Sequence, residues 1–472
     1  MRLSEHSASE LSRLIAARAT APSEVMAHHL DRIAEVNPDV NAVISLRGRD
    51  ELMAEARAAD DAPRHGWLHG LPLAVKDLCA TKGLRTTWGS PLFADFIPEK
   101  DDLLAARMRA AGAIFIGKTN TPEWGQGSHS FNPVHGVTRN PYDLGRTAGG
   151  SSGGAAAGLA ARMLPVADGS DMMGSLRNPA AFCNVYGFRP TWGLVPGNAE
   201  GDTFLATLAT EGPMGRTIED LARLLQVQAG PNPETPFDRP TEPFADMLAM
   251  DLRGKRIGWL GDWGGAYQIE PGILDLCEAG LEVFTDQGAI VDLLPPPFPA
   301  EDLWQSWITL RAMLTAGGKR VRLAYDDPAK RAQIKPETVW EIEQGLGLTA
   351  ETVHAASVIR SRYYAHMARL FQRFDAIALP SAQVWPFPVE WRWPQAINGH
   401  PMDTYHRWMA VVIPVSLIGL PALALPVGFG ADGLPMGMQL AGPVGADARI
   451  LAMGQSYHLA TDWPGKHPPT FN

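Results

Sequence analysis

The chain has 472 residues, with 51 acidic against 41 basic side chains and a formal net charge of −10. This balance argues against binding to nucleic acid or to an anionic membrane surface, because both need basic patches. The length permits a large core. Typical domain sizes would divide a chain of this length into about three domains, but α/β enzymes often form a single domain that is larger than the typical size.

Hydrophobic periodicity predicts the main elements in chain order. Helical spacing is clear in residues 3–19, 23–35, 217–228 and 355–373. Short apolar runs predict strands at residues 256–260, 289–293, 376–379 and 422–427. The Pro-rich stretch 231–243 predicts a surface loop. Prolines 295–297 mark the entry to a helical insert that ends near residue 374.

Three features bear on the compartment. The longest apolar run, residues 409–429, contains three prolines and predicts two buried strands and a turn rather than a membrane span. Three cysteines, at positions 79, 183 and 277, are an odd and sparse set that fits reduced thiols. The N-terminal segment lacks the apolar region of a secretory signal. We therefore expect a cytoplasmic protein with no membrane contact.

Lys76 ends an apolar, strand-forming run at residues 70–76. One interpretation is a lysine that is solvated or paired with Asp77, since lysine is almost never fully buried without a partner. The other is a desolvated lysine, because burial disfavours the charged form and lowers the pKa. A lysine that is neutral near pH 7 can act as a general base. The residues alone leave both interpretations open.

Residues 112–119 match the phosphate-loop pattern GxxxxGK[ST]. That pattern requires the intervening residues to curl so that their N–H groups face phosphates. Residues 113–116, Ala-Ile-Phe-Ile, are instead apolar and predict a buried strand. A non-catalytic nucleotide-binding protein is therefore the least favoured functional class.

A Gly-Ser-rich motif, Thr-Ala-Gly-Gly-Ser-Ser-Gly-Gly-Ala-Ala-Ala, covers residues 147–157. A further serine, Ser175, follows inside Asp-Met-Met-Gly-Ser-Leu-Arg at residues 171–177. Glycine permits positive φ and close approach of the backbone. Hydroxyls on tight turns beside exposed N–H groups supply the nucleophile and the oxyanion site that acyl transfer needs.

Residues 149–153 also match the G-x-S-x-G elbow of α/β-hydrolases. In that interpretation His458 or His467 would supply the base. The strand that must precede the elbow is missing, because residues 140–147 predict turn and loop.

Together these motifs resemble the amidase signature family of serine hydrolases. The match runs through residues 70–77, 117–123, 138–142, 149–154, 171–177, 179–183, 187–191, 212–220, 419–426 and 433–440. It extends from about residue 11 to 459 and is weakest between 231 and 384. The resemblance implies an α/β fold, a single large α/β/α domain with a mixed central sheet flanked by helices.

The resemblance also implies a layout within this one domain of residues 1–472. It places N-terminal helices at 1–60, the catalytic core at about 66–230, a variable helical insert at about 295–375 and C-terminal strands at about 376–460.

By resemblance, Ser175 is the nucleophile, Ser151 is the bridging serine that the family holds on a cis peptide bond, and Lys76 is the base. Neutral Lys76 takes a proton from Ser151, which takes one from Ser175 as its oxygen attacks the carbonyl carbon. N–H groups around Met172, Met173, Gly174 and Ser175 hold the oxyanion. Water then hydrolyses the acyl-enzyme. This chemistry needs no histidine, metal or cofactor.

One departure concerns Met173, because the family usually has Gly-Gly-Ser where this chain has Met-Gly-Ser. If position 173 needs a positive φ, methionine is strained there by ~1–2 kcal/mol. If it does not, Met172 and Met173 either add flexible apolar surface near the acyl carbon or point into the core. Asp171 and Arg177 are predicted to brace the turn through charge-assisted hydrogen bonds.

Substrate identity is the least determined property. Core or loop packing is the simpler interpretation of any single tryptophan. As a group, an apolar or aromatic acyl or amine moiety is suggested by Trp88, Trp124, Trp385, Trp391, Trp393 and Trp408. By analogy with the family, Gly125 and Gln126 line the acyl side. Aryl amides, linear aliphatic amides, esters and carbamates all stay open.

The favoured function is a free-standing amide hydrolase acting on a small-molecule amide. The second is an amidotransferase subunit that makes ammonia from glutamine for a partner enzyme, a role that the family includes. The tryptophans and the Met-Met turn argue against that polar-substrate role. The oligomeric state stays open, a homo-oligomer included.

Overall fold

The computed structural model describes residues 2–198 and 201–471. The N-terminal and core helices are α1 (Ala8–Ala16), α2 (Pro22–Val40), α3 (Arg49–Asp61), α4 (Leu103–Ala110), α5 (Gly153–Ala160), α6 (Arg177–Phe182), α7 (Ile218–Gln228) and α8 (Ile273–Thr285). The later helices are α9 (Ala300–Gly317), α10 (Lys319–Asp326), α11 (Pro328–Arg331), α12 (Pro336–Leu346), α13 (Ala350–Leu370), α14 (Ile413–Ser416), α15 (Asp447–Thr461) and α16 (Trp463–Lys466).

The strands before residue 200 are β1 (Val43–Ile44), β2 (Pro72–Lys76), β3 (Ile114–Thr119), β4 (Phe131–Asn132), β5 (Gly136–Val137), β6 (Arg139–Asn140), β7 (Asp143–Thr147), β8 (Ala167–Asp171) and β9 (Tyr186–Arg189). The later strands are β10 (Thr210–Gly215), β11 (Arg256–Trp259), β12 (Ile290–Leu293), β13 (Ala376–Pro380), β14 (Ala396–Ile397), β15 (His400–Pro401), β16 (Ala422–Phe429) and β17 (Pro435–Ala441).

An eight-stranded sheet forms the centre, in the order β12-β11-β13-β17-β16-β9-β10-β8. β11 runs parallel to β12 and β13, and the other neighbours pair antiparallel. Helices such as α6, α7 and α8 pack against this sheet. The predicted α/β fold with a mixed central sheet flanked by helices is confirmed.

A three-stranded sheet, β1-β3-β2, adjoins the β8 edge of the large sheet. The backbone N–H of Lys76 at the end of β2 donates to the carboxylate of Asp168 on β8 at 3.1 Å. β2 and β3 are buried along their whole length. Strands covered on both faces have near-continuous apolar sequences, which is why these runs are recognisable in the sequence.

Helix α5 lies close to the chain that follows β3, because its residues are small. A Cβ atom on Gly154 would lie only 2.3 Å from the backbone nitrogen of Asn120. The Gly-Ser motif therefore allows this helix to approach the strand end, and that approach places the loop before α5 beside Lys76.

Most predicted elements are confirmed. α2 contains the helix predicted at 23–35, α7 covers residues 218–228 of the helix predicted at 217–228, and α13 covers most of 355–373. α9–α13 lie between residues 300 and 370, within the range predicted for the helical insert. β11, β12, β13 and β16 match the four predicted strands. Residues 231–243 contain no helix or strand, as predicted for a loop.

Three predictions were wrong in detail. Residues 409–416 form a 3-10 turn and α14 rather than a strand, because periodicity cannot separate a short buried helix from a buried strand. The helix predicted at 3–19 is interrupted at Ser7, which caps α1 by accepting from the N–H of Glu10. Residues 140–147 are not simply turn and loop, since β6 and β7 pair there as a short, mostly exposed hairpin.

The membrane, cysteine and domain predictions can also be compared with the structure. In residues 2–198 and 201–471, the helices are all too short or too polar to cross a membrane. The three cysteines are buried free thiols. The layout within one domain stays a prediction, and its end residues, Met1 and Asn472, lie outside the described part of the chain.

Candidate active site

Lys76 is buried at the end of β2, with 1% of its surface exposed. Its Nζ lies 2.8 Å from each of three hydroxyl oxygens, those of Ser151, Ser152 and Ser170. No carboxylate among the described residues forms an ion pair with this amine. The interpretation of Lys76 as solvated or paired with Asp77 is therefore wrong, because the Asp77 carboxylate instead accepts from Thr87.

Burial lowers the pKa of Lys76 to about 8, because the charged form loses its hydration. The negative charges of Glu211, Asp168 and Asp171 act in the opposite direction and raise this pKa. Glu211 and Asp168 themselves have pKa values raised by burial. With a pKa of about 8, roughly a tenth of Lys76 is neutral at pH 7, and the neutral fraction rises steeply above that pH.

Ser151 lies in the loop between β7 and α5 and is almost completely buried. The Gly150–Ser151 peptide bond is cis, as the resemblance implied. The hydroxyl of Ser128 donates to the Gly150 carbonyl at 2.7 Å, and the Gly153 N–H donates to the hydroxyl of Ser130 at 3.1 Å. These contacts hold the loop on both sides of Ser151, with its hydroxyl against Lys76.

Asp171 organises the turn that carries Ser175 between β8 and α6. Its carboxylate accepts from the Gly174 N–H at 2.9 Å and pairs with the guanidinium groups of Arg177 at 2.9 Å and Arg189 at 3.0 Å. Burial alone would raise the pKa of Asp171, but the two arginines hold it well below its usual range. The predicted bracing by Asp171 and Arg177 is confirmed, and Arg189 is an additional partner.

The N–H groups predicted to bind an oxyanion are not equivalent. The Gly174 N–H donates to the Asp171 carboxylate at 2.9 Å, so this donor is already engaged, and an oxyanion role for Gly174 stays a prediction. The N–H groups of Met172, Met173 and Ser175 have no partner among the described residues. They are the donors that this turn leaves available.

Met173 does not have a positive φ; the left-handed residue of the turn is Gly174, at φ 82°. The strained alternative for Met173 is therefore wrong. Its side chain is 3% exposed and packs in the main core, whereas Met172 is only partly buried. The departure from Gly-Gly-Ser thus adds core packing at position 173, and both methionines contribute apolar surface to the cavity lined by Ser175.

Ser151, Ser170 and Ser175 line one cavity of about 270 Å³. Its other lining residues are Leu78, Trp124, Gly125, Gln126, Gly127, Met172, Met173, Ala209, Arg311, Leu314, Thr315, Gly318, Val321 and Met409. The structure thus brings the predicted residues Ser151 and Ser175 to one cavity whose wall is mainly apolar, with Lys76 behind it.

Gly125 and Gln126 both line this cavity, as predicted. The side-chain amide of Gln126 is already engaged, since its Nε2 donates to Glu341 at 3.1 Å and its Oε1 accepts from Thr338. Gln126 therefore presents its backbone and side-chain stem to a ligand more readily than its amide.

The predicted tryptophan group is mostly elsewhere. Trp124 lines the cavity, and Trp88 stacks behind it with ring centroids 6.5 Å apart. Trp385, Trp391, Trp393 and Trp408 do not line it. For these four the prediction was wrong, because sequence composition does not reveal which face of the fold a residue occupies.

The two competing motifs do not form their sites. β3 pairs with β1 on one side and β2 on the other, so the backbone of residues 114–119 is not free to cradle phosphate. The Nδ1 of His458 bonds the Tyr186 hydroxyl at 3.0 Å, and His467 packs against Trp463. Neither histidine lines the cavity with Ser151.

Sequence reasoning missed four residues of this region. Ser152 and Ser170 contact Lys76, and their signal was their place beside the two predicted serines. Arg311 and Glu341 come from the helical insert, where the family resemblance is weakest, so the sequence offered no signal for them.

Known proteins resemble this chain over nearly its full length. The family described as Amidase matches residues 24–451. An acylamidase from Rhodococcus erythropolis is 31% identical over 471 residues, covering 98% of this chain and 97% of that protein. A glutamyl-tRNA(Gln) amidotransferase subunit from Thermosynechococcus vestitus is 33% identical over 485 residues, covering 97% of this chain and 98% of that protein.

The fold agrees with solved structures as well. The crystal structure of a bacterial aryl acylamidase of the amidase signature family superimposes with a TM-score of 0.91 at 29% identity, covering 99% of both chains. Since family, relatives and fold agree over nearly the whole length, this chain belongs to the amidase signature family and is an amide-hydrolysing enzyme.

Proposed function

We propose that the protein is a free-standing amidase that hydrolyses apolar or aryl amides through an acyl-enzyme on Ser175, with Ser151 and Lys76 as proton relay. The observation that carries this proposal is the environment of Lys76. A buried amine whose partners are three hydroxyls, with no paired carboxylate among the described residues, favours the neutral form that a general base requires.

The hydrogen bonds around Lys76 give the relay a direction. A neutral amine has two N–H donors and one lone pair. With three hydroxyls at 2.8 Å, it donates to two of them and accepts from the third. We assign Ser151 as the hydroxyl that donates to the lone pair of Lys76. The two N–H groups of the amine then donate to Ser152 and Ser170, which orient the lone pair toward Ser151.

The chemical steps follow from this arrangement. Lys76 takes the proton of Ser151, Ser151 takes that of Ser175, and the Ser175 oxygen bonds to the carbonyl carbon. The free N–H groups of Met172, Met173 and Ser175 are the proposed oxyanion donors, and one such donor is worth about 3–4 kcal/mol of barrier. The proton returns through Ser151 to the leaving amine, and water then releases the acid by the reverse relay.

The test is a hydrolysis panel of anilides, primary amides, esters, carbamates and glutamine. Ser175→Ala is expected to lower kcat by about four orders of magnitude or more and to abolish labelling by a fluorophosphonate probe. Ser361→Ala is the matched control, because this serine lies on the exposed surface of α13. Labelling or hydrolysis that survives in Ser175→Ala would remove the nucleophile assignment.

An amidotransferase subunit is the second candidate, because a relative with that name is 33% identical to this chain. Free glutamine carries an α-carboxylate and an α-ammonium group. Among the described residues, the cavity wall includes one charged side chain, Arg311, and no carboxylate for the ammonium. The mainly apolar wall therefore favours the amidase. Glutamine hydrolysis that exceeds anilide hydrolysis, or a second chain that co-purifies, would reverse this preference.

A further inference from the structure

A buried polar cluster lies beside the cavity that contains Ser175. Arg311 on α9 donates from Nε to Oε1 of Glu341 at 2.5 Å and from Nη2 to the hydroxyl of Tyr405 at 2.7 Å. The Tyr405 hydroxyl donates to the same Oε1 at 2.7 Å. All three residues are more than nine-tenths buried. Arg311 is thus fixed in orientation by two partners.

The acidic member of this cluster is fully satisfied. The second carboxylate oxygen of Glu341 accepts from Thr315 at 3.0 Å and from Gln126 at 3.1 Å. Glu341 also neutralises the charge of Arg311. The cluster therefore needs no further cation. Its remaining hydrogen-bonding capacity is that of a donor.

That capacity is the Nη1 group of Arg311. Its single partner among the described residues is the thioether sulfur of Met172, at 3.6 Å. Thioether sulfur is a weak acceptor, and a buried donor without a good acceptor is unfavourable. Both side chains line the cavity with Ser175, and Met172 is flexible and only partly buried. A bound oxygen acceptor can therefore replace the sulfur at Nη1.

The charge of the ligand group follows from the same contacts. Because Glu341 already balances Arg311, a carboxylate at Nη1 would bring an uncompensated charge into a mainly apolar cavity. An uncharged carbonyl gains the hydrogen bond without that cost.

We infer that the amide substrate carries, besides its scissile bond, a second uncharged hydrogen-bond acceptor, such as a ketone, ester or further amide carbonyl, that binds Nη1 of Arg311 in place of the Met172 sulfur. This inference rests on the proposed function, since it assigns a substrate class to the same cavity.

The test compares isosteric amides. On the acyl side, the anilide of levulinic acid is compared with that of valeric acid and with the monoanilide of succinic acid, its charged isostere. On the amine side, the acetamide of para-acetylbenzylamine is compared with that of para-ethylbenzylamine, because the methylene group insulates the leaving nitrogen from the electron-withdrawing ketone. In one of the two series we expect the ketone to exceed the alkyl compound in kcat/KM by about ten-fold or more, as for hydrogen bonds to charged donors.

The variant removes both charges, Arg311→Met with Glu341→Gln, so that no buried charge is left unpaired. The ketone preference, which is the ratio of the two kcat/KM values, is expected to fall to about one-fold. The matched control is Arg392→Met with Glu337→Gln, a second arginine–glutamate pair that is partly exposed and outside this cavity, with its glutamate on α12. Its preference is expected to equal that of the wild type.

If the double variant does not fold, Arg311→Lys keeps the charge balance and should lower the preference, because the ammonium lacks the fork that bonds Glu341, Tyr405 and the ligand together. A wild-type preference near one in both series, or faster hydrolysis of the succinic isostere, overturns the inference. Ser175-dependent hydrolysis that continues in that case leaves the proposed function intact, whereas hydrolysis that persists in Ser175→Ala removes the function itself.

Discussion

Replacing Glu211 by glutamine should move the acid limb of the rate–pH profile to lower pH. Glu211 on β10 is the direct cross-strand partner of Ser170 on β8, whose hydroxyl contacts Nζ of Lys76. Residues paired in this way lie on one face of a sheet. The ionised carboxylate stabilises the ammonium form and raises the pKa of Lys76. Its removal therefore enlarges the neutral, reactive fraction at mildly acidic pH.

The size of the shift follows from the geometry. We take roughly 6 Å as the separation of the two charges, which is the scale of cross-strand side-chain neighbours. Two unit charges at that distance interact by about 3 kcal/mol at an effective dielectric constant of about 20, which corresponds to about 2 pKa units. Because burial raises the pKa of Glu211 itself, its carboxylate is only partly ionised in this pH range, and we expect a shift of about one pH unit.

The assay is kcat/KM for an anilide between about pH 5 and pH 10, a range that brackets the titration of a lysine with a lowered pKa. Asp168 and Asp171 on β8 also raise the pKa of Lys76, so both stay unchanged in the two variants that this pH assay compares. The matched control is Asp238→Asn, which removes a carboxylate from the neighbouring cavity that Glu211 also lines, whereas the charges that act on Lys76 are those of Glu211, Asp168 and Asp171. An acid limb that stays in place or moves upward in Glu211→Gln would refute a lysine base tuned by this carboxylate.

Three further variants test the nucleophile turn. Asp171→Asn should lower the free energy of unfolding by about 3–5 kcal/mol, because two buried guanidinium groups lose their counter-charge. Gly174→Ala should abolish fluorophosphonate labelling, since a Cβ there would lie 1.9 Å from Oδ1 of Asn178 at a φ of 82°. Met173→Ala should cost about 2–5 kcal/mol of stability through a core cavity, measured by urea unfolding.

The pH dependence of stability tests the role of Asp171, and a direct contrary result exists for the other two variants. Because the folded pKa of Asp171 is depressed, its stabilisation is present above the unfolded pKa of about 3.9 and is lost as pH falls below that value. Wild-type stability that declines at neutral pH would need another group as its cause. Labelling retained in Gly174→Ala, or an unchanged unfolding midpoint in Met173→Ala, would contradict the described turn.

The local hydrophobic pattern predicted secondary structure best for strands that are buried along their whole length. β2 and β3 are buried along their length, so their apolar runs identify them directly. Residues 409–416 are equally apolar yet helical, because burial on all sides removes the periodic signal. Methionine at position 173 was ambiguous for a related reason, since the dihedral angle that decides between strain and packing is not encoded in residue type alone.

The sequence by itself determined the chemical groups of the site and its family: two serines on Gly-rich turns, a lysine at a strand end, and a brace of Asp171 and Arg177. Only the tertiary structure decided the burial of Lys76 and the composition of the cavity. Both depend on desolvation and on contacts between distant segments, such as Gln126 with Glu341, 215 positions apart. Such contacts arise when the sheet and the helical insert pack together, and no local pattern specifies them.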